Sequence, residues 1–276
     1  MQKNTHSYIH DSRNNNIKIY INGDIYNRSD AKISVFDSGF LLGDGIWEGM
    51  RLHNKQLCFL DEHLNRLYNG AQSIKINIPY SKKELSQIIY DVIKANEMVS
   101  DVHLRIIVSR GEKTTPYQHP SANIGPISLV IIPEYKVADD EINQRGLKIG
   151  SVQTIRGTEF NQDPKINSLS KFNCIAACLD GINKNVDEAL MLDINGYVST
   201  CNSTNFFIVK DNQVITSKGQ YCLNGVTRAN IIKICQEESI NIIEKDFNLE
   251  ATYSAHEAFV TGTFAGVIPV INIDNH

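Results

Sequence analysis

Apolar and polar residues alternate from Ile17 to Asp24 and meet Asn22-Gly23-Asp24, the pattern of a strand entering a tight hairpin. From Asp61 to about Ile74 the spacing changes. Leu64, Leu67, Ala71 and Ile74 recur at helical intervals, so this stretch is predicted as a helix. Ser81-Lys-Lys-Glu84 has the form of a capping box and predicts a second helix to about Asn96. Val102 to Ser109 and Ile127 to Pro133 read as strands. Arg110 to Ser121 lies between them as a polar, proline-bearing loop of a length that is often functional. Residues 134 to 146 are polar and charge-rich and are expected to link two domains, 1–133 and 147–276. A strand begins at Leu147. The helix expected from Lys171 carries Phe172, Ile175, Ala176, Leu179 and Ile182 on one face. Strands are predicted at 188–193, 197–200, 205–209 and 213–216, with turns at Ile194-Asn-Gly and Asp211-Asn212. A helix opening near Gly225, a buried strand from Glu257 and a last strand at Ile268-Pro-Val-Ile complete the chain.

Composition narrows the class. With 276 residues, 42% hydrophobic and 21% charged, the chain can bury a core without disulfides or metal. A net charge of -4 leaves no basic footprint for nucleic acid. Six cysteines include no Cys-x-x-Cys pair and no His/Cys cluster, so they are expected to be reduced thiols of a cytoplasmic protein that holds no metal. The polar N-terminus lacks a signal-peptide core, and no apolar run reaches the ~18 residues a membrane span requires.

Candidate chemistry concentrates between Asp163 and Phe207. Lys165 and Lys171 flank the start of an apolar helix, and a hairpin rich in small polar residues follows. That layout can set an amine beside hydroxyls and amides, as the capture of a reactive carbonyl requires. Upstream, Ile33 to Arg51 holds four glycines and two aspartates among large apolar residues, a sign of close backbone approach. Gly225 and Thr227 stand where a helix begins, and its free amides would suit a phosphate. The small-residue turn after Val260-Thr-Gly-Thr263 could hold an anion as well.

The order of these segments resembles the class IV aminotransferases, the fold-type IV enzymes that use pyridoxal phosphate. The resemblance runs from about Ile17 to Val270. It is carried together by Phe36-Asp-Ser-Gly-Phe-Leu-Leu-Gly-Asp-Gly-Ile-Trp-Glu-Gly-Met-Arg51, Asp187-Glu-Ala-Leu-Met-Leu-Asp, Leu223-Asn-Gly-Val-Thr-Arg and Val260-Thr-Gly-Thr. It implies an α/β (α+β) fold with a smaller N-terminal α/β domain and a larger, β-barrel-like C-terminal domain that binds the cofactor. By resemblance Arg51, Val226, Thr227 and Thr263 would hold the cofactor phosphate. Phe36, Arg105, Arg110, Phe264 and Ala265 would line the substrate side.

Two positions depart from the family pattern. Counting back from Asp187-Glu188, the lysine that bonds to the cofactor falls on Asn167. The glutamate that protonates the pyridine nitrogen falls on Thr200, in Ser199-Thr-Cys-Asn-Ser-Thr-Asn205. Lys171 lies four residues after Asn167, about one helical turn on, and is the expected catalytic lysine. Lys165 is the second candidate. The resemblance implies a homodimeric transaminase for an aliphatic, branched-chain-like amino acid and a 2-oxo acid acceptor. Aminodeoxychorismate lyase and D-amino-acid aminotransferase are alternatives, as is a non-catalytic cofactor-binding homologue.

Overall fold

The structure is a computed structural model and describes residues 4–264 and 266–276. The described residues fall into two units, Ile9–Val137 with Ile166–Lys171, and the remainder of the chain. Residues 134–146, expected as a link, hold the end of the strand Ser128–Tyr135 and the helix Asp140–Arg145.

The first unit is built on a six-stranded antiparallel sheet. Its order is Asp24–Asn27, Lys18–Ile21, Ser128–Tyr135, Val102–Ser109, Gly45–His53 and Gln56–Leu57. The predicted hairpin turns at Asn22 and Gly23, both at positive φ, as a two-residue turn between twisted strands requires. Helices Leu60–Ser73 and Lys82–Ala95 supply Leu64, Leu67, Ala71, Leu85, Ile89 and Val92 to the core. The sheet meets them with Ile46, Met50, Leu52, Leu104, Ile106, Leu129 and Ile131. Ser81 and Glu84 form the expected capping box, each side chain bonding to the other's backbone N–H.

Glycines in the 33–51 stretch serve close approach, as expected. Gly43, at φ 67°, ends the short helix Ser38–Leu42. Gly45 opens the strand Gly45–His53 where Ile166–Lys171 returns alongside it. The Leu169 N–H donates to Gly45 O (2.9 Å), and the Trp47 N–H donates to Asn167 O (2.9 Å). A Cβ on Gly45 would press into the Val108 carbonyl and the Leu169 side chain.

The second unit centres on an eight-stranded mixed sheet. Its order is Val198–Cys201, Glu188–Leu192, Leu147–Ser151, Gly266–Ile273, Glu257–Gly262, Asn205–Lys210, Gln213–Thr216 and Ile242–Glu244. Leu147, Ile149, Leu190, Phe206, Ile208, Val260 and Ile268 form its core. The helix Phe172–Asn183 forms as the periodicity predicts, but its large apolar face is turned to solvent. Phe172, Ile175, Leu179 and Ile182 are 79, 52, 55 and 58% exposed, while Ala177 and Gly181 are buried. The small side packs inward because the helix lies close to the sheet; a Cβ on Gly181 would stand 3.3 Å from that of Ala189. No helix among the described residues is long and apolar enough to cross a membrane.

Gly45→Ala is expected to destabilise the protein by about 1–3 kcal/mol, the usual cost of overpacking. The check is a lower urea midpoint at unchanged slope.

Candidate active site

Strand alternation gives Gly45–His53 two different faces. Ile46, Glu48, Met50 and Leu52 point into the core, and Trp47, Gly49 and Arg51 point away from the helices. The register pairs Gly49 with Arg105, Arg51 with His103, and His103 with Glu134. Arg51 and Arg105 are therefore diagonal neighbours on one face, where such pairs lie ~7–8 Å apart. The Arg105 guanidinium sits 3.9 Å from the centre of the Trp47 ring, a cation–π contact. Arg51 donates Nη1–H to Lys136 O at 3.2 Å.

Burial pulls Arg51, Arg105 and Lys136 below their ordinary pKa values, because a charge loses hydration there. For Lys136, Glu134 opposes the shift, and the positive charges of Arg105 and Arg51 add to it. A half-buried face with this excess of cations favours a carboxylate or phosphate.

Lys171 ends the returning segment. Its Nζ donates to Asn167 Oδ1 at 2.9 Å and stands 5.4 Å from the Trp47 ring centre. Asn167 is buried. Lys165, the second candidate, is 43% exposed and lies 4.0 Å from Asp163. Arg110, predicted on the substrate side, has a different task. It binds Asp44 through Nε (2.7 Å) and Nη2 (3.0 Å) and donates to the carbonyls of Ile74 and Lys75. It ties the glycine-rich segment to the end of a helix through four of its five N–H groups. Phe36 is exposed, and its carbonyl accepts the Lys113 N–H.

The second unit carries the remaining predicted positions. Gly225 is the N-cap of helix Val226–Glu237 and provides no side-chain cap. The first amides, at Val226 and Thr227, thus lack the side-chain acceptor that usually covers a helix start. Gly225 also packs against Asn205, whose amide donates to Leu223 O at 2.9 Å. Opposite Asn205 on the next strand, the Thr261 hydroxyl is buried with no hydrogen-bond partner among the described residues. Thr263 follows that strand, and Phe264 stacks on His6 with ring centres 6.0 Å apart. Ala265 lies outside the described residues. Thr200 is buried, and its hydroxyl donates to Thr204 O at 2.7 Å. Beside it, Glu188 accepts hydroxyl hydrogens from Thr5, Ser203 and Thr204. Burial raises its pKa in spite of these three donors.

The family profile of amino-transferase class IV matches residues 45–273. The chain belongs to the class IV aminotransferases. It is 34% identical to the putative branched-chain-amino-acid aminotransferase of Methanocaldococcus jannaschii, over 94% of this chain and 88% of that protein. It is also 34% identical to branched-chain-amino-acid aminotransferase-like protein 2 of Arabidopsis thaliana, over 92% of this chain, but it spans only 45% of that relative's length. The crystal structure of the T.th. branched-chain amino acid aminotransferase with pyridoxamine 5'-phosphate superposes with a TM-score of 0.88. The identity there is 26%, covering 94% of this chain and 87% of that one. The mixed α/β fold is accordingly that of the fold-type IV enzymes.

Class IV aminotransferases use pyridoxal phosphate, and the residues present fit that group in a particular way. The helix start at Gly225 has the donor chemistry of a phosphate cradle. Lys171 offers an amine held by a neutral acceptor. The Thr200 hydroxyl is engaged with Thr204 O.

The sequence reading missed a buried charge cluster in the first unit. Glu48 is fully buried, binds Arg66 through two bonds (2.7 and 2.8 Å), and lies 2.7 Å from His63 Nδ1. The available signal was a carboxylate amid Ile46, Met50 and Leu52, with His63 and Arg66 three residues apart on one helix face. Burial alone would raise the Glu48 pKa, but Arg66 and His63 together bring it below the ordinary value. Its stabilising contribution is therefore present above the unfolded-state pKa and is lost as pH falls through the lower, folded one. Glu48→Gln is expected to cost about 3–5 kcal/mol near neutrality, because Arg66 loses its buried counter-charge. It should also flatten the acid side of the stability curve, read by urea unfolding at decreasing pH.

Proposed function

We propose that this protein is a pyridoxal-phosphate-dependent aminotransferase for an aliphatic, branched-chain-like amino acid with a 2-oxo acid acceptor. The observation that carries this reading is the Lys171 amine, hydrogen-bonded to the side chain of Asn167, the residue that stands where the family's lysine is expected. The similarity to proteins named as branched-chain aminotransferases supports the substrate class.

In this reading the Val226 and Thr227 amides, with the hydroxyls of Thr227 and Thr263, would hold the cofactor phosphate, a role that the family resemblance also gives to Arg51. Bound cofactor supplies the electron delocalisation that loss of an α-proton demands. Lys171 Nζ takes that proton as a general base and returns it as an acid. Arg105, held flat by Trp47, binds a substrate carboxylate with a planar, two-toothed grip. Thr200 would give the ring nitrogen a neutral hydroxyl partner where a carboxylate would supply charge, a replacement expected to make turnover slow. The same replacement, with Asn167, favours as second reading a cofactor-binding homologue without transaminase activity. The exposed stripe Phe172, Ile175, Leu179 and Ile182 supports a homodimer. Six free cysteines are consistent with a cytoplasmic protein.

Borohydride reduction after incubation with pyridoxal phosphate, followed by peptide mass mapping, tests the assignment. The label is expected on Lys171. Label on Lys165 would transfer the role, and absence of a specific label would leave only the binding-protein reading. For the assembly, Leu179→Glu is expected to move the sedimentation coefficient from dimer to monomer.

A further inference from the structure

We infer that Asn167 and Trp47 are positioning residues for the Lys171 amine: Asn167 fixes its direction and Trp47 the surface over which it lies. This deepens the functional reading above and rests on Lys171 being the lysine that meets the cofactor.

Three independent restraints converge on Nζ. The first is the bond to Asn167 Oδ1 at 2.9 Å, made from four residues along the chain. An amide oxygen is a neutral acceptor. It directs the amine without the fixed counter-charge by which a carboxylate would hold the proton on it. The second is the Trp47 ring, whose centre lies 5.4 Å from Nζ, within the range of a cation–π attraction. The ring itself is braced by the Arg105 guanidinium at 3.9 Å. The third is the backbone. The Trp47 N–H donates to Asn167 O at 2.9 Å, and Ile46 pairs with Ser168 in an antiparallel bridge. The two positioning residues are thus joined to each other through the main chain, so their side chains are set jointly. Asn167 is buried, which limits its rotamers and makes its oxygen a fixed reference.

Charged groups around this cluster come from each neighbouring element. Arg51 lies on the strand of Trp47, His103 and Arg105 on the next with Asp101 just before it, and Glu134 near the end of the third with Lys136 just after it. Within that field Asn167 gives the amine a direction and adds no charge of its own.

A positioned amine and a merely packed one behave differently in a pair of measurements. The first is the labelling rate of Lys171 by a small acylating reagent, read by peptide mass mapping, with exposed Lys165 in the same sample as the internal reference. The second is the yield of borohydride-trapped pyridoxal phosphate on Lys171. In Asn167→Ala and Trp47→Leu, acylation of Lys171 is expected to rise at least about threefold, because the amine is released. Trapped pyridoxal phosphate on Lys171 is expected to fall at least about threefold, because the released amine is no longer aimed. Trp47→Phe keeps an aromatic face and should preserve both values. Asn167→Asp adds the counter-charge and should slow acylation.

A role in packing alone would move both readouts in the same direction, and that result would overturn the inference, as would unchanged values in Asn167→Ala. Circular dichroism and urea midpoints near those of the parent keep the comparison valid; if Asn167→Ala fails to fold, Asn167→Asp and the two Trp47 variants decide. Full transaminase activity in Lys171→Met would instead refute the functional reading while leaving the acylation result standing.

Discussion

The hydrogen bond from the Trp47 N–H to Asn167 O governs more of this molecule than its size suggests. It seats a late segment, Ile166–Lys171, beside the opening of an early strand, Gly45–His53. More than a hundred residues separate the two in the chain, so the contact bears a large loop-closure entropy that packing around it must offset. Gly43 and Gly45 meet that requirement by removing the Cβ atoms that would keep the segment away. The benefit is chemical. The only amine of the segment is delivered to an indole face and a buried amide, with its backbone already fixed.

The strand that receives it separates two kinds of electrostatics. On its core face a single carboxylate, Glu48, is surrounded by Arg66 and His63 and is satisfied within the protein. On its other face Arg51 and Arg105, with Lys136 close by, lie near Glu134 and Asp101. The first arrangement pairs a buried carboxylate with cationic and imidazole partners inside the protein. The second gathers half-buried cations, each pulled below its ordinary pKa by lost hydration.

The scaffold is that of the class IV aminotransferases, and motif spacing puts Asn167 and Thr200 where a lysine and a glutamate are expected. The Asn167 side chain is a hydrogen-bond acceptor, and the Lys171 amine, four residues on, is bonded to it. Thr200 is a neutral side chain on the strand that pairs with that of Glu188, whose carboxylate accepts from the Thr5, Ser203 and Thr204 hydroxyls. The threonine hydroxyl closes the local turn through Thr204.

Much was legible from local pattern. The hairpin at Asn22-Gly23, the capping box at Ser81, the strand Val102–Ser109 and the helix start at Gly225 follow from turn chemistry, capping and periodicity, all set by neighbours within a few residues. The motif spacing also sufficed to identify the family. Other features were beyond its reach. Periodicity put Phe172, Ile175, Leu179 and Ile182 on one helix face but could not say that Ala177 and Gly181 turn inward, because that depends on how closely a distant strand approaches. The pairing of Arg110 with Asp44 and two helix-end carbonyls was likewise beyond local pattern, because it joins three separate stretches of the chain. The Glu48 cluster joins a strand to a helix, and the Lys171 cluster joins residues 47, 105, 167 and 171. The sequence determined which chemical groups are present and which local elements carry them. Only the tertiary structure decided which of those groups meet one another, because Coulomb and hydrogen-bond energies depend on distance in space rather than along the chain.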